Sequence, residues 1–575
     1  MIKSPTKKSL ILDDTLLILT MAILAGCGLV YEYLLSHYAG RVLGVMESTI
    51  YTMIGLMIVS MGLGAFAARK VRCAFNGFVY LELIIALLGS SAILFIGGLI
   101  AITQILPQII ADMFSLPPDM IPEGGIFKAL SFLSVNSPYA FGVILGFFIG
   151  MEIPLIARIR EEIHGKHLAN NLGTIYGADY IGAGIGAAIW VIFLLSIDIS
   201  KAAALTASLN LIAGAFFITR YWQQLSWRKT FVALHLLLAL IIVLMFNYGN
   251  QWLNQMNSLL YLDKVVHVEK TRYQQLTFTE RNMGFNSTNT DASNSQQSII
   301  NFYLNGRLQF SSLDEHIYHD YLVAPALAGS ARNESILIIG GGDGLALRDV
   351  LKYSPKNVTL IDLDSELIDI FQHPDKHLNA SLARKINHLN QGSLRDERVT
   401  IFRSDAFITI NELLKKGQVF DSIIVDLPDP SHPDLNKLYT VDFYARLKQL
   451  LAGDGLIAIQ STSPYHAKDS FISIGKTLSA AKFSHVQQYH DNVPSFGEWG
   501  WTIAAKIGAS PLTRLNRLKD LPVAHSWLNL EMLKGSFVFP NEFYKRKDTI
   551  DINTLGSHTL YQLHQQAWQN QQGIK

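Results

Sequence analysis

The chain has 575 residues, of which half are hydrophobic and only 16% are charged, and its mean hydropathy is +0.25. This composition excludes a disordered chain and a single soluble domain, and it indicates a membrane protein. The net charge of +1 gives a nucleic-acid partner no electrostatic support. The only cysteines, Cys27 and Cys73, lie in or beside apolar segments, which excludes a disulfide framework and a cysteine-ligated metal.

Charge is unevenly distributed along the chain. Residues 1–250 contain 28 Lys, Arg, Asp and Glu, and the rest of the chain contains 65. Seven apolar runs in the first part are about 20 residues long, the length that a membrane-spanning helix needs. They are Thr15–Leu35, Thr49–Ala68, Phe78–Thr103, Pro138–Ala157, Leu172–Ser196, Ala202–Tyr221 and Phe231–Tyr248. The fifth is rich in Gly and Ala, which let helix backbones approach closely, so we expect it to be central in the bundle.

Basic residues in the loops predict the orientation of these helices. The N-terminal tail and the loops on its side hold 12 Lys and Arg, whereas the alternate loops hold 3. We therefore predict a multi-pass protein of the cell (inner) membrane with its N-terminus in the cytoplasm. Seven crossings would deliver the rest of the chain to the opposite side, unless Gln104–Asn136 contains a re-entrant or additional crossing. The sequence leaves that side open.

Acidic residues within the predicted membrane helices have two interpretations. They are Glu32, Glu82, Glu152 and Asp179. Charges at membrane depth are costly and are usually functional, which favours a polar cavity that accepts a cation. The alternative is that they lie near the interfaces or pair with Arg41 and Arg158. For any one of these residues the structural interpretation is favoured over a cation cavity. The presence of four such residues makes the two interpretations more nearly equal.

From Val265 the pattern is typical of a soluble α/β protein. Short alternating strands, Val265–Glu269, Gln275–Thr279 and Ile299–Leu304, predict a small antiparallel sheet, and the polar stretch Asn282–Gln297 an exposed loop. Buried strands then alternate with helices, which predicts a doubly wound parallel sheet. The predicted strands are Ile336–Ile339, Val358–Asp362, Val399–Arg403, Ser422–Val425 and Leu456–Gln460.

Five acidic residues follow or end these strands: Asp343, Asp362, Asp405, Asp426 and Asp429. Open α/β sheets bind ligands at the carboxyl ends of their strands. A glycine turn, Gly340–Gly344, follows the first strand, and Asp362 can bind a ribose diol. Capping of helices explains one or two of the acids, but five at one edge favour a cationic ligand or a metal.

Several motifs resemble those of the polyamine aminopropyltransferases, the spermidine synthase family. The motifs are Gly306-Arg307-Leu308-Gln309, the run from Asp314 to His319, the glycine turn with Leu347–Lys352, and Asp426-Leu427-Pro428-Asp429-Pro430. The resemblance covers roughly Val265–Ile507. Leu29-Val30-Tyr31-Glu32, and in the tail Asn553-Thr554-Leu555 and Ala567-Trp568, resemble the membrane-embedded branch of that family.

The resemblance implies a division of the chain into four parts. Residues 1–250 would form a multi-pass α-helical membrane domain and 251–312 a small antiparallel β domain. Residues 313–510 would form a Rossmann-like α/β domain of the class I methyltransferase type, which carries the aminopropyltransferase site, and 511–575 a C-terminal tail.

The resemblance also implies a donor, decarboxylated S-adenosylmethionine, which acts as a co-substrate rather than a tightly bound cofactor. Asp362 would hold its ribose and Asp405 its adenine amino group, and Gln274 and Gln309 would line the pocket. Asp343 and Asp426 would hold its ammonium, which agrees with charge, because these acids attract an ammonium and repel the carboxylate of intact S-adenosylmethionine.

Aminopropyl transfer to a diamine, putrescine by default, is the implied reaction. Asp426 with Tyr318 would take the proton from the attacking amine, and Asp429 would anchor the far ammonium. Phe496 lies about where soluble members carry a tyrosine that touches the acceptor. His319 has no metal-ligand spacing with the other histidines, so we expect an acceptor-lining or surface role and no metal. The departures at Leu427 and Pro428, where the family has serines, bear on acceptor identity.

Three matters remain open at this point. The first alternative function is a polyamine transporter or sensor with a non-catalytic nucleotide-binding domain, which the membrane acids support. The second is a methyltransferase that uses S-adenosylmethionine. The expected partners are the two small-molecule substrates and the lipid bilayer, with no nucleic acid, and association into a homo-oligomer is undecided.

Overall fold

The computed structural model describes residues 7–43, 46–113, 125–164, 171–261, 263–282 and 298–571. The chain divides into two compact units, Met1–Lys264 and Val265–Lys575. The N-terminal unit is helical. Its helices are α1 (Lys7–Leu43), α2 (Met46–Ala67), α3 (Ala74–Met113), α4 (Ile126–Ile149), α5 (Glu152–His164), α6 (Asn171–Ile192), α7 (Ile199–Arg220) and α8 (Arg228–Leu260).

Seven stretches of these helices are long and apolar enough to cross a membrane. They are Asp13–Gly40, Thr49–Lys70, Ala74–Pro107, Ile126–His164, Asn171–Ser196, Ile199–Arg220 and Arg228–Met256. They coincide with the seven predicted segments, which confirms the helical prediction. The described part of Gln104–Asn136 continues α3 and begins α4, and residues 114–124 of that stretch lie outside the described residues.

Helix α6 packs closely on α1 through small residues. A Cβ on Gly182 would lie 1.9 Å from the carbonyl oxygen of Ala22, and one on Gly186 would lie 2.5 Å from that of Gly26. The close approach of backbones is therefore as predicted. The expectation that the segment is central is wrong, because its opposite face is exposed, including Tyr180. Small residues mark a packed face of a helix, not its place in a bundle.

The C-terminal unit begins with a small sheet of four strands in the order β1 (Lys264–Lys270), β2 (Gln275–Asn282), β3 (Ser298–Leu304) and β4 (Arg307–Ser311). Strands β2 and β3 pair antiparallel, and so do β3 and β4, as predicted for the small sheet. Strand β4 was not predicted, although Asn305-Gly306 precedes it with φ of 50° and 82°, a combination that Asn-Gly favours in a hairpin turn. Residues 283–297 of the predicted loop lie outside the described residues.

A seven-stranded sheet forms the rest of the unit. Its strands are β5 (Ser335–Gly340), β6 (Asn357–Asp362), β7 (Val399–Arg403), β8 (Phe420–Asp426), β9 (Leu451–Gln460), β10 (His485–Val493) and β11 (Gly497–Ala505), in the order β10-β11-β9-β8-β5-β6-β7. The pairs from β7 to β9 are parallel. The five predicted strands, β5 to β9, are therefore parallel, as predicted. Strands β10 and β11 were not predicted: β10 pairs antiparallel with β11, and β11 pairs antiparallel with β9, so the sheet as a whole is mixed.

Helices cover both faces of this sheet, as the predicted Rossmann-like α/β class requires. They are α9 (Glu315–Gly329), α10 (Leu345–Leu351), α11 (Ser365–Gln372), α12 (Pro374–His377), α13 (Ala380–Asn390), α14 (Ala406–Lys415), α15 (Pro433–Asn436), α16 (Val441–Leu450), α17 (Lys468–Ala480), α18 (Pro511–Leu515), α19 (Leu530–Gly535) and α20 (Thr559–Gln571). Two buried clusters of apolar residues lie against the sheet, one including Ile338 and the other Ile339, because successive strand residues face opposite sides.

Candidate active site

The glycine turn between β5 and α10 brings backbone against two of the acids. Gly340 and Gly341 have φ of 81° and 66°, which glycine adopts at little cost. A Cβ on Gly340 would lie 2.0 Å from the carbonyl oxygen of Asp426, and one on Gly342 would lie 2.9 Å from Oδ2 of Asp362. The turn therefore needs glycine, and it gathers the ends of β5, β6 and β8 at one edge.

Asp426, at the end of β8, contacts two side chains of α9. The Tyr318 hydroxyl donates to Oδ1 of Asp426 at 2.8 Å, and Nε2 of His319 lies 3.9 Å from Oδ2. Burial raises the pKa of Asp426, whereas the charge of His319 and the hydrogen bond from Tyr318 oppose that shift. The structure thus brings together the two predicted catalytic residues and His319.

His319 belongs to a buried chain of charges. Its Nδ1 lies 2.9 Å from Oε2 of Glu315, and both Glu315 oxygens accept from Arg348 at 2.7 and 3.0 Å. Arg348 also binds Asp349, which pairs with Lys352 at 2.6 Å. Burial would lower the pKa of His319, but the hydrogen bond and charge of Glu315 raise it to about 9. A cation therefore lies beside Asp426 at neutral pH.

Asp343 interacts electrostatically with His319 and Asp426. Its Oδ1 accepts the backbone N–H of Leu345 at 2.9 Å. Burial raises the pKa of Asp343 to about 6, with the charge of His319 lowering it and that of Asp426 raising it. Two carboxylates and one imidazolium thus share an enclosed site, which can bind one more cation.

Asp362 is oriented by backbone donors. Its Oδ2 accepts from Gly342 N at 3.1 Å and its Oδ1 from Asp364 N at 3.0 Å. Burial raises the pKa of Asp362 to about 6, although these hydrogen bonds lower it. The Gln274 amide donates to Oδ2 of Asp364 at 2.9 Å, so Gln274 and Asp362 both contact Asp364.

Asp405 and Gln309 have local partners. Asp405 caps α14 through the N–H of Phe407 at 2.8 Å, and its Oδ2 pairs with Lys437 at 2.6 Å. The Gln309 amide donates to backbone carbonyls of its own strand, at Arg307 and Leu308. The contacts of these two side chains therefore do not join them to the other acids.

Asp429 has several donors around it. Gln460 donates to Oδ1 at 2.7 Å, and Thr462 Oγ1 and His564 Nε2 lie 3.3 and 3.2 Å from Oδ2. Burial alone would raise the pKa of Asp429, but His564, Gln460 and the charge of Arg307 lower it. Asp429 is therefore ionised at neutral pH.

Aromatic rings lie beside Tyr318. The ring of Phe496 lies 6.2 Å from that of Tyr318, edge to face, and 5.0 Å from that of Trp499. Trp501 stacks instead on Tyr321, at 5.2 Å, within the core. Phe496 thus lies beside Tyr318, whose hydroxyl contacts Asp426.

The N-terminal unit has a separate buried polar cluster. The Tyr31 hydroxyl bonds Oδ1 of Asn210 at 3.2 Å, and the Asn210 amide donates to Oε2 of Glu82 at 3.0 Å. Glu152 is also buried and interacts electrostatically with Glu82. Oε1 of Glu82, Oε2 of Glu152 and Nε2 of His235 have no hydrogen-bond partner among the described residues.

Within the described part of the chain, Arg158 does not pair with a membrane acid, in contrast to the alternative interpretation of those acids. Its guanidinium donates to the carbonyl oxygens of Ala68, Val71 and Arg72. The side chain of Arg41 lies outside the described residues.

Comparison with known proteins decides the family. A family model described as the spermine/spermidine synthase domain matches residues 315–516. A polyamine aminopropyltransferase of Shewanella oneidensis is 56% identical over 562 residues, which cover 98% of this chain and 96% of that protein. The chain belongs to the polyamine aminopropyltransferase family. Polyamine aminopropyltransferase 1 of Streptomyces coelicolor is 30% identical over 563 residues, which cover 96% and 95%.

Solved structures that resemble this chain include a spermidine synthase. The crystal structure of a spermidine synthase in complex with the transition state analogue AdoDATO matches 50% of this chain and 89% of that chain, with 24% identity and a TM-score of 0.40. As a polyamine aminopropyltransferase, the protein is a transferase of polyamine biosynthesis. Family membership confirms the resemblance and displaces both the methyltransferase and the non-catalytic transporter or sensor.

The sequence did not predict several residues that position this aminopropyltransferase site. In the buried chain, Glu315 contacts His319 and Arg348 contacts Glu315. Lys437 and His564 pair with predicted acids. One signal was present, since Glu315 and His319 are four residues apart on a helix and therefore share a face. His564 is 135 residues from Asp429, a separation that no local pattern reveals.

Proposed function

We propose that this enzyme transfers the aminopropyl group of decarboxylated S-adenosylmethionine to putrescine and forms spermidine. The observation that carries the proposal is the electrostatic repulsion between Asp343 and Asp426, two half-buried carboxylates at the same edge of the sheet. A donor ammonium between them would neutralise their repulsion. Intact S-adenosylmethionine would add a third carboxylate there, which like-charge repulsion disfavours.

The remaining predicted residues would hold the nucleoside. Each Asp362 oxygen accepts one backbone N–H and keeps a second acceptor position, so a ribose diol can donate to both. Asp405 would accept from the adenine amino group while it stays paired with Lys437. Gln274 and Gln309 would line this pocket, with Gln274 reaching it beside Asp364.

The reaction is a displacement at the methylene carbon next to the sulfonium. The neutral amine nitrogen attacks that carbon, the C–N bond forms as the C–S bond breaks, and sulfur keeps the bonding electrons as a neutral thioether. Before the attack, Asp426 acts as general base and takes one proton from the ammonium of putrescine, because a protonated amine has no lone pair, and the product leaves as a secondary ammonium. Tyr318 donates to Oδ1, which leaves Oδ2 to take the proton, and His319 stabilises the ionised form of Asp426.

The acceptor would lie between Asp426 and Asp429. Its attacking nitrogen would be next to Asp426 and its far ammonium next to Asp429, with Phe496 against its methylene groups. Since the sulfonium is already a good leaving group, positioning and deprotonation supply most of the catalysis.

Calorimetry and product analysis on the detergent-solubilised chain test this proposal. We expect decarboxylated S-adenosylmethionine to bind more tightly than the intact form, and mass spectrometry to detect spermidine when putrescine is added. Tighter binding of intact S-adenosylmethionine, or absence of spermidine, would reject it.

We further propose that the protein is a multi-pass protein of the cell (inner) membrane with a cytoplasmic N-terminus. The seven candidate spans and the 12 to 3 distribution of basic residues support this orientation. Reporter fusions after Tyr248 and after Lys575 should then both report the side opposite the N-terminus. A cytoplasmic signal from both fusions would require an even number of crossings.

For the N-terminal unit we propose a cation site in the bundle interior. Glu82 and Glu152 are buried with one unpartnered oxygen each among the described residues. Nε2 of His235 would lie 2.6 Å from a Cβ on Gly214, and Cβ of Glu82 would lie 3.5 Å from it. The unpartnered ring nitrogen of His235 therefore lies close to Glu82, while its Nδ1 is bonded to the Phe231 carbonyl. Polar groups in such positions are usually functional, and a protonated amine suits two carboxylates.

A further inference from the structure

The C-terminal tail is bound to the segment that carries Asp429. Asn553 is fully buried, and its amide donates to the carbonyl oxygens of Asn436 and Tyr439 at 3.1 and 3.2 Å. In return, the Asn436 amide donates to Ser557 O at 2.9 Å. Tyr439 in turn donates to Pro428 O at 2.9 Å. The tail and the acid motif are therefore held in register by buried hydrogen bonds.

This register delivers His564, on α20, to the side chain of Asp429. The His564 side chain is only 2% exposed, and its Nε2 lies 3.2 Å from Oδ2. Because Asp429 is ionised, the imidazole nitrogen that faces it must carry the proton. Two other donors, Gln460 and Thr462, also reach this carboxylate.

Counting acceptor positions shows what is left for a ligand. A carboxylate offers about four lone-pair positions, and three of those on Asp429 face protein donors. One position remains for the far ammonium of an acceptor. The imidazole of His564 lies next to that position, and its helix α20 is packed into the unit through Leu560, which is fully buried.

We propose that His564 is a specificity-determining residue that closes the far end of the acceptor site and restricts it to short diamines. This inference rests on the proposed function, because it takes Asp429 as the anchor of the far ammonium. His564 makes no contact with the reacting atoms in this account. It acts by limiting the room and the number of free acceptor positions at Asp429.

Acceptor profiles of the full-length protein in detergent test the proposal. The relative kcat/KM for 1,3-diaminopropane, putrescine, cadaverine and 1,6-diaminohexane is measured with decarboxylated S-adenosylmethionine for the wild type and three variants. For His564→Ala we expect the ratio of cadaverine to putrescine to rise about tenfold, the scale of one methylene in an enclosed site. His564→Gln keeps a donor and most of the volume, so its profile should stay near that of the wild type.

The control is His558→Ala, an exposed histidine of the same tail, which should leave the profile unchanged. If His564→Ala does not fold, His564→Ser, which retains a donor but not the ring, should show the same rise. An unchanged ratio in the folded variant, with all acceptors slowed equally, would overturn the proposal and leave the proposed function standing. If the wild type prefers an acceptor other than putrescine, the proposed function fails, and the change in profile still tests His564.

Discussion

The carboxylates of the two units of this enzyme have different hydrogen-bond surroundings. In the C-terminal unit, Asp362, Asp426 and Asp429 each accept hydrogen bonds from protein donors. In the N-terminal unit, Glu82 and Glu152 each keep one oxygen without a partner among the described residues. A buried charge without partners is costly. The hydrogen bonds in the C-terminal unit fix the orientation of its carboxylates, whereas the unpartnered oxygens of Glu82 and Glu152 favour a bound cation or a bound proton.

The largest effect is expected at Asp426, the proposed general base. Asp426→Asn keeps the shape of the side chain but cannot accept the proton of the amine. We expect spermidine formation to fall by about a thousandfold, within the range for loss of a general base. Steady-state rates with saturating donor measure it. Asp434→Asn is the matched control, because that side chain is 88% exposed and lies eight positions along the same segment.

Retention of more than a tenth of the wild-type rate in Asp426→Asn would contradict the assignment. Another base would then have to be sought among the groups around the amine.

The second prediction concerns Arg348, which pairs with Glu315, the partner of His319. Arg348→Met leaves Glu315 and Asp349 buried without their main cation. We expect a loss of about 3–5 kcal/mol of unfolding free energy, as when one partner of a buried ion pair is removed. Arg398→Met breaks a partly exposed pair with Asp396 and should cost about 1 kcal/mol or less. Urea unfolding in detergent, followed by tryptophan fluorescence, compares them, and equal losses would contradict the prediction.

Much of the catalytic fold could be predicted because its signals are local. The run Ile336–Ile339 is apolar on both faces, so it is recognisable as a buried strand, and the glycine turn after it marks the ligand edge. The antiparallel strands β10 and β11 were not predicted, because β10 and the first half of β11 contain no such apolar run. The partner of Asp429 was missed for a related reason, since polar pairing between distant segments leaves no periodic trace.

The third prediction is a loss of donor affinity at acidic pH, the acid limb of the binding profile. The pKa of Asp343 is about 6, so below that pH its carboxyl is protonated and no longer attracts the donor ammonium. The affinity for decarboxylated S-adenosylmethionine should therefore fall by up to about tenfold for each pH unit below 6, and stay level above it. Calorimetry between pH 5 and 8 measures this affinity. In Asp343→Asn, the part of its pH dependence that comes from Asp343 should be absent.

A matched ligand separates Asp343 from Asp362, whose pKa is also raised by burial to about 6. The thioether product has the ribose but not the ammonium, so its affinity should lose only the part of the limb that depends on Asp362. The same limb for donor and product would contradict the role given to Asp343.

The smallest and most discriminating effect concerns the N-terminal unit. Glu82→Gln combined with Glu152→Gln removes both carboxylates and keeps their volume. If the interior binds a cation, proteoliposomes with this variant should take up labelled putrescine or spermidine several-fold more slowly. Spermidine synthesis in detergent should stay at the wild-type rate, because Asp343, Asp426 and Asp429 are untouched. Asp198→Asn, at the exposed start of α7, is the control and should change neither. Unchanged uptake in the double variant would mean that the unpartnered acids bind no transported amine, and the helical unit would then be an anchor whose buried acids are neutralised by protons alone.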